Sequence, residues 1–354
     1  MSKALLHPRS DGASEATMRN DAATPLADIE LGGAGAAADV DARREFAADV
    51  ARDLSIRPKR LQPKYLYDAL GSRLFEAICE LPWYRITRAE RRLLELHAAA
   101  MTETIADLTA VIELGCGSGE KLALLAGGMR PRGRPLRVHL VDISPAALDL
   151  SARTLATVPH VNVVSHRASY EVGLRQAATS SLRHGATLVL FLGSNIGNFH
   201  PAEADAFFRT VRRALRPGDG FLVGADLVKA EADLVRAYDD PLGVTAAFDM
   251  NLLVRINREL GGTFDLGGFT HEARWNPSES RVEMHLRCRR PQRVAIAAAG
   301  ISVAFEADET IWTESSYKYV PAAIAARGEA AGFACAEQWI DADAGFAVTL
   351  FRVR

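Results

Sequence analysis

Between residues 110 and 225, short apolar runs alternate with stretches whose apolar positions recur every three or four residues. The runs are Ala110 to Leu114, Arg137 to Val141, Val161 to Val164, Ala186 to Leu192 and Gly220 to Ala225. Strands covered on both faces read as continuous apolar runs, and their alternation with helix-period segments predicts right-handed βαβ units in a parallel sheet. Ser144-Pro145 starts a helix after the second run, with an N-cap and a first-turn proline, and Pro201 does the same after the fourth. Upstream, Asp41 to Leu54, Tyr65 to Cys79 and Thr87 to Leu108 have helical periodicity with charged faces. Downstream the alternation breaks. Glu231 to Arg258 reads as one long polar helix, and Gly268 to Ile296 as a hairpin about the turn Asn276 to Ser280. From Val303, through a helix near Pro321 to Arg327, to Phe346–Phe351 come two further strands, so the pattern predicts seven strands with a reversed last pair.

This pattern divides the chain into a disordered tail (1–40), N-terminal helices (41–100), a main α/β domain (101–230 and 298–354) and an insertion (231–297). The insertion and the N-terminal helices are expected to form a second, α+β substrate domain. It would act as a lid over the carboxyl ends of the strands, where open α/β sheets bind ligands. The tail, rich in Ala, Gly, Asp and Ser, has too little apolar surface to offset its ordering entropy.

With 354 residues, 48% of them hydrophobic, the chain can bury a large core. A net charge of -2 gives no reason to expect nucleic acid or an anionic membrane as partner. No apolar run approaches the roughly 20 residues that span a bilayer. Cys79, Cys116, Cys288 and Cys335 are far apart, without C-x-x-C spacing, and the nine histidines lack metal-ligand spacing. A cytoplasmic, monomeric enzyme without a metal is the expectation.

The chemistry starts at Val111-Ile-Glu-Leu-Gly-Cys-Gly-Ser-Gly-Glu-Lys121, a strand that runs into a glycine turn and opens a helix. Gly115, Gly117 and Gly119 allow a tight turn and close approach to a ligand facing the helix N-terminus. Dinucleotide sites usually read G-x-G-x-x-G; this alternate spacing after an acid, Glu113, resembles the first motif of S-adenosylmethionine-dependent methyltransferases. Asp142, after the second strand, stands where such folds place an acid on ribose hydroxyls, and Ser144 is expected to cap the helix and leave it free. Lys121 in the first helical turn opposes the helix dipole, which points to a ligand contact. Cys116 reads as a small residue filling the turn. After the fourth strand, Phe191-Leu-Gly-Ser-Asn-Ile-Gly-Asn-Phe199 lacks the Asn/Asp-Pro-Pro-aromatic motif of nucleobase methylation. Its glycines and Asn198 suit a small polar substrate, and Asn195 reads as a turn residue.

Six segments in order resemble the histidine Nα-methyltransferase family: Pro63 to Phe75, Leu81-Pro-Trp-Tyr-Arg-Ile-Thr-Arg-Ala-Glu90, the glycine turn, Phe191 to Asn198, Tyr238-Asp-Asp240 and Trp312-Thr-Glu-Ser-Ser-Tyr-Lys-Tyr319. The resemblance runs from Leu61 to the C-terminus. It implies a Rossmann-like class I methyltransferase fold and S-adenosylmethionine-dependent trimethylation of the α-amine of L-histidine to hercynine, the first step of ergothioneine biosynthesis. It implies substrate binding by Tyr84, Asn198, Tyr238, Glu314 and Ser316, cofactor binding by Gly115, Gly117, Lys121, Asp142 and the Ser169-Tyr170 pair, and Tyr67, Phe75, Thr245 and Met284 in the same cavity.

Glu314 and Ser316 are alternate residues of a predicted strand, so both can reach one imidazole. Asn198 and Tyr238 can hold the substrate carboxylate and orient the amine. No dedicated strong base is expected; Tyr67 is the candidate for relaying the amine proton to solvent, and Tyr67, Tyr84 and Tyr238 can face a quaternary ammonium. One departure stands out: Ser169 replaces the family's usual acid, so adenine would be held without charge. The rivals are a betaine synthase for another α-amino acid such as tyrosine or tryptophan, and a non-catalytic S-adenosylmethionine-binding protein.

Overall fold

The computed structural model describes residues 34–129, 135–181 and 185–353, so most of the expected tail lies outside the described residues. Helix α1 (Ala34–Ser55) leads into the body of the chain, Arg43–Arg354, burying Phe46, Val50 and Leu54 along one stripe of four-residue spacing. After β1 (Lys59–Arg60), the helix expected over Tyr65 to Cys79 is two pieces: a 3-10 turn at Pro63–Leu66 and α2 (Ala69–Glu80). Asp68 divides them, because its carboxylate accepts the N–H of Gly71 at 2.7 Å and starts a new helix. Tyr67, at the joint, is therefore off the helix. Helix α3 (Ile86–Glu103) ends sooner than expected, and Leu108 already belongs to β2 (Leu108–Leu114).

The alternating segment folds as the pattern predicts: α4 (Glu120–Gly128), β3 (Leu136–Asp142), α5 (Pro145–Leu155), β4 (Val161–Arg167), α6 (Tyr170–Ser181), β5 (Ala186–Phe191), α7 (Pro201–Ala214) and β6 (Gly220–Asp226). The seven-stranded sheet closes with β12 (Phe333–Asp341) and β13 (Phe346–Val353), in the order β12-β13-β6-β5-β2-β3-β4. Strand β13 runs antiparallel to both neighbours and the other pairs are parallel, which is the reversed last pair. Residues of β2, β5 and β6 are almost wholly buried, so both sheet faces are covered.

The insertion departs from expectation in two places. The single helix predicted over Glu231 to Arg258 is α8 (Glu231–Tyr238) and α9 (Val244–Leu260). Asp240 separates them: its carboxylate accepts the N–H groups of Leu242 and Thr245 at 2.9 and 2.7 Å, and Pro241 and a left-handed Gly243 complete the break. The hairpin forms as β7 (Phe269–Asn276) and β8 (Arg281–Cys288). The strands after residue 298 do not yet rejoin the main sheet. β9 (Gln292–Ile296) pairs with β10 (Ile301–Phe305), and β11 (Thr310–Tyr317) joins a four-stranded sheet ordered β1-β11-β8-β7. The main sheet resumes only after α10 (Pro321–Ala330). Backbone bonds from Tyr319 N to Asp226 O (3.0 Å) and from Val228 N to Tyr319 O (3.0 Å) fix the end of the smaller sheet to the carboxyl end of β6. No helix among the described residues is long and apolar enough to cross a membrane.

Candidate active site

The glycine turn leaves β2 with Gly115, Gly117 and Gly119 all at positive φ (77, 52 and 76°). A Cβ on Gly115 would lie 2.8 Å from Asn195 Nδ2, and one on Gly119 would lie 2.4 Å from Ser151 Oγ of α5. Those two glycines let neighbouring segments close in. A Cβ on Gly117 would meet nothing within 4 Å, so the turn opens to a ligand there. Asp142, at the end of β3, faces the turn but is not wholly free. One oxygen accepts the Ser144 N–H at 2.9 Å, while burial raises its pKa against the pull of that bond and of the Gly117 N–H. Ser144 caps α5 by accepting from Ala147 N at 3.3 Å. The Tyr170 ring packs 5.1 Å from Phe191, with its hydroxyl close to Gly115, whereas Ser169 is exposed at the start of α6.

Lys121 has a protein partner that the sequence did not reveal. Its Nζ donates to Glu90 Oε2 at 2.7 Å, and the wholly buried Glu90 carboxylate also accepts the Gly193 N–H at 2.8–2.9 Å. Helix α3, the cofactor helix α4 and the loop after β5 thus meet on one carboxylate. Glu113, just before the turn, is buried with Oε2 unpartnered, and burial pushes its pKa up to about 8 against the attraction of Lys121. A buried carboxylate oxygen without a donor beside an open glycine turn fits a ligand that carries positive charge, as the sulfonium and amino groups of S-adenosylmethionine do.

Beside the turn lies a partly open cavity. Tyr67, Phe75 and Tyr84 reach it from the N-terminal helices, Gly193 to Asn195 and Asn198 from the loop after β5, Tyr238 and Thr245 from α8 and α9, and Met284, Glu314 and Ser316 from the four-stranded sheet. Every residue expected at the substrate is therefore brought into one wall. Ile78, Ser194, Asn195, Ala237 and Phe248 also line it and were not anticipated. For Phe248, its place one helical turn after Thr245 in α9 was the available signal. Asn195 lies against Gly115, between cavity and turn, and so is more than a turn residue.

Glu314 and Ser316 share a face because the strand register is regular between them; the shift falls just before, between Trp312 and Glu314. Burial raises the Glu314 pKa to about 8, with Asp249 adding to the rise and Lys318 opposing it. The Tyr67 hydroxyl is held well above its ordinary range, chiefly by burial and then by Glu314, so it stays protonated and can only relay a proton. Tyr67 stands 5.5 Å from both Phe75 and Phe248, and Tyr84 6.1 Å from Tyr238, ring centre to ring centre. Tyr238 OH lies 2.8 Å from Ser316 Oγ, and Lys318 Nζ donates to both at 2.8 Å.

The profile of the family described as "Histidine-specific methyltransferase, SAM-dependent" matches residues 46–353. The chain belongs to this family. Over 303 residues it is 40% identical to the histidine N-alpha-methyltransferase of Mycobacterium tuberculosis, covering 85% of this chain and 93% of that relative. It is equally 40% identical over 304 residues to the enzyme of that name from Mycolicibacterium smegmatis, with the same coverage. The L-tryptophan methyltransferase of Psilocybe serbica is more distant, at 27% over 327 residues, covering 83% of this chain and 88% of that one. Membership makes the cofactor S-adenosylmethionine, and the unpartnered Glu113 oxygen and the open space at Gly117 are compatible with it.

Proposed function

We propose that this chain methylates the α-amine of L-histidine three times to give hercynine, as expected of a member of the histidine-specific family and of the opening step of ergothioneine synthesis. The observation that carries the substrate is Glu314: a carboxylate buried in the cavity wall, two residues from Ser316, with nothing apolar in histidine's place able to satisfy it. A buried acceptor left unpaired costs about 1–3 kcal/mol, which is discrimination against apolar side chains.

In this reading Glu314 and Ser316 hold the imidazole, and Asn198 holds the substrate carboxylate and turns the amine toward the glycine turn, the Tyr238 hydroxyl being taken up by Ser316 and Lys318. S-Adenosylmethionine, when bound at Gly115, Gly117, Lys121, Asp142, Ser169 and Tyr170, supplies an electrophilic methyl group. The amine must lose a proton before each transfer; Tyr67, itself kept neutral, passes it along by its hydroxyl. The aromatic faces of Tyr67, Tyr84 and Tyr238 stabilise the growing ammonium by about 0.5–2 kcal/mol each. The N-terminal helices 41–100 and the insertion, extended from 231–297 through β11, act as the substrate lid on a methyltransferase domain made of 101–230 and the closing strands.

Incubation with S-adenosylmethionine and each amino acid in turn, followed by mass spectrometry, tests the reading. Three added methyls on histidine and a strong preference for it are expected. Equal activity on all amino acids, or none on histidine, overturns it; preference for tryptophan or tyrosine would transfer the reaction to the rival substrates.

A further inference from the structure

Lys318 lies one residue past β11, and its side chain is 0% exposed. All three of its N–H donors are engaged: with Tyr238 OH and Ser316 Oγ at 2.8 Å each, and with Asp226 Oδ2 at 2.9 Å. Burial opposes its charge, but Asp226 and Tyr238 beside it hold its pKa up, so it remains an ammonium that can only donate. Asp226 is anchored in turn by Lys229, at 2.6 Å on its other oxygen.

This triangle constrains two hydroxyls of the cavity wall. Tyr238 and Ser316 bring two protons, one of which lies in the 2.8 Å bond between them. The hydroxyl that accepts this bond also accepts from Lys318, so both its lone pairs are used and its own proton is left to point elsewhere. A phenol is the stronger donor and an aliphatic hydroxyl the better acceptor. Tyr238 therefore donates to Ser316, and Ser316 presents an O–H and no lone pair to the cavity.

We propose that Lys318 is a positioning residue that makes Ser316 a pure donor and thereby selects the neutral imidazole of histidine, N–H on Glu314 and bare nitrogen on Ser316. This rests on histidine being the substrate. An imidazolium would bring a second N–H to Ser316 and find no acceptor. A protonated Glu314 would need the reverse polarity, which Ser316 refuses, so productive binding takes the Glu314 carboxylate. The charged and titratable groups acting on Glu314 are Asp249 of α9, itself 2.7 Å from His271 of β7, Lys318, and the hydroxyls of Tyr67 and Tyr84.

The direct test is ¹⁵N NMR of imidazole-labelled histidine bound to the wild-type chain with S-adenosylhomocysteine. One pyridine-like and one pyrrole-like nitrogen at pH 6 are expected; two pyrrole-like nitrogens overturn the inference. Kinetics supply the second arm, with Lys318→Arg and Lys318→Met. Lys318→Met should raise the histidine KM about tenfold at pH 7.5, the value of one hydrogen bond, with little change in kcat or cofactor affinity. It should also flatten the further rise in KM between pH 7.5 and 5.5 that wild type shows, because Ser316 regains a lone pair. Lys318→Arg should keep the wild-type pH profile. A wild-type profile in Lys318→Met overturns the inference, and should that variant not fold, the NMR result on wild type decides alone. Wild type that fails to methylate histidine refutes the substrate instead.

Discussion

The two edges of this active site are built in opposite ways. The glycine-turn edge is local: Glu113 to Lys121 and Asp142 sit at the ends of adjacent strands β2 and β3, where Lys121 and Asp142 have protein partners and Glu113 keeps one oxygen unpartnered. The substrate wall gathers Tyr67, Asn198, Tyr238, Met284 and Glu314 from segments spread along the chain, and it keeps a carboxylate in reserve for the ligand. On the reading proposed above, a cofactor shared by many enzymes is held by a short turn, whereas the group that distinguishes one amino acid from another comes from a wall the rest of the fold must assemble.

The sharpest way to break this contrast is Glu314→Ala. Histidine affinity should fall on the order of a hundredfold while cofactor affinity holds, since one buried charged contact is lost on one side only. Calorimetry with each ligand checks it, and unchanged histidine affinity would remove Glu314 from the site. The reciprocal change is Gly115→Ala. With φ at +77° and Asn195 Nδ2 2.8 Å from the new methyl, a left-handed alanine costs roughly 1–2 kcal/mol, so cofactor affinity should drop about tenfold. Because Asn195 also lines the cavity, histidine affinity should move a little with it; no loss on the cofactor side would contradict the packing described.

Two buried carboxyls should draw down the stability of the ligand-free protein as pH rises from about 4.5 to 8, against an opposite contribution below about 6.5 from His139, whose buried imidazole is pushed down to about 4. Glu113 and Glu314 both have folded-state pKa values pushed up to about 8. The unfolded chain ionises them first, so between the two pKa values it binds fewer protons than the fold and stability falls with pH. Melting temperature should decline between about pH 6.5 and 8 by on the order of a few degrees, and Glu314→Gln should remove its share. Added histidine should offset the decline in wild type and not in that variant. The smallest expected effect is a gain. Ser169→Asp places a charge where the family usually has one and should tighten cofactor binding about three- to fivefold, roughly 0.6 to 1 kcal/mol for an exposed charged hydrogen bond; weaker binding would show that adenine does not contact this position.

Sequence pattern disclosed the strands and the cofactor turn because both depend on neighbours: apolar runs make buried strands, and glycine spacing makes the turn. The substrate residues became visible only through ordered resemblance, since periodicity does not bring Tyr67 together with Glu314. Hidden altogether were partners such as Glu90 for Lys121 and Asp226 for Lys318. Each is a charged residue on an ordinary helix or strand end, and only the tertiary fold shows that its charge is buried and matched. The break at Asp240 was legible in principle, since Asp-Pro followed by Gly is turn chemistry, but helical periodicity on both sides masked it.

Strand β13 lies between β6 and β12, so the strand made after both of its neighbours completes the interior of the sheet. On a ribosome, β6 must wait, with one edge unpaired, for Phe346 to Val353 to be made, and β6 ends in Asp226, the anchor of Lys318. A message cut short before Phe346 would thus yield a chain that carries every cavity-lining side chain and lacks the strand that pairs with β6.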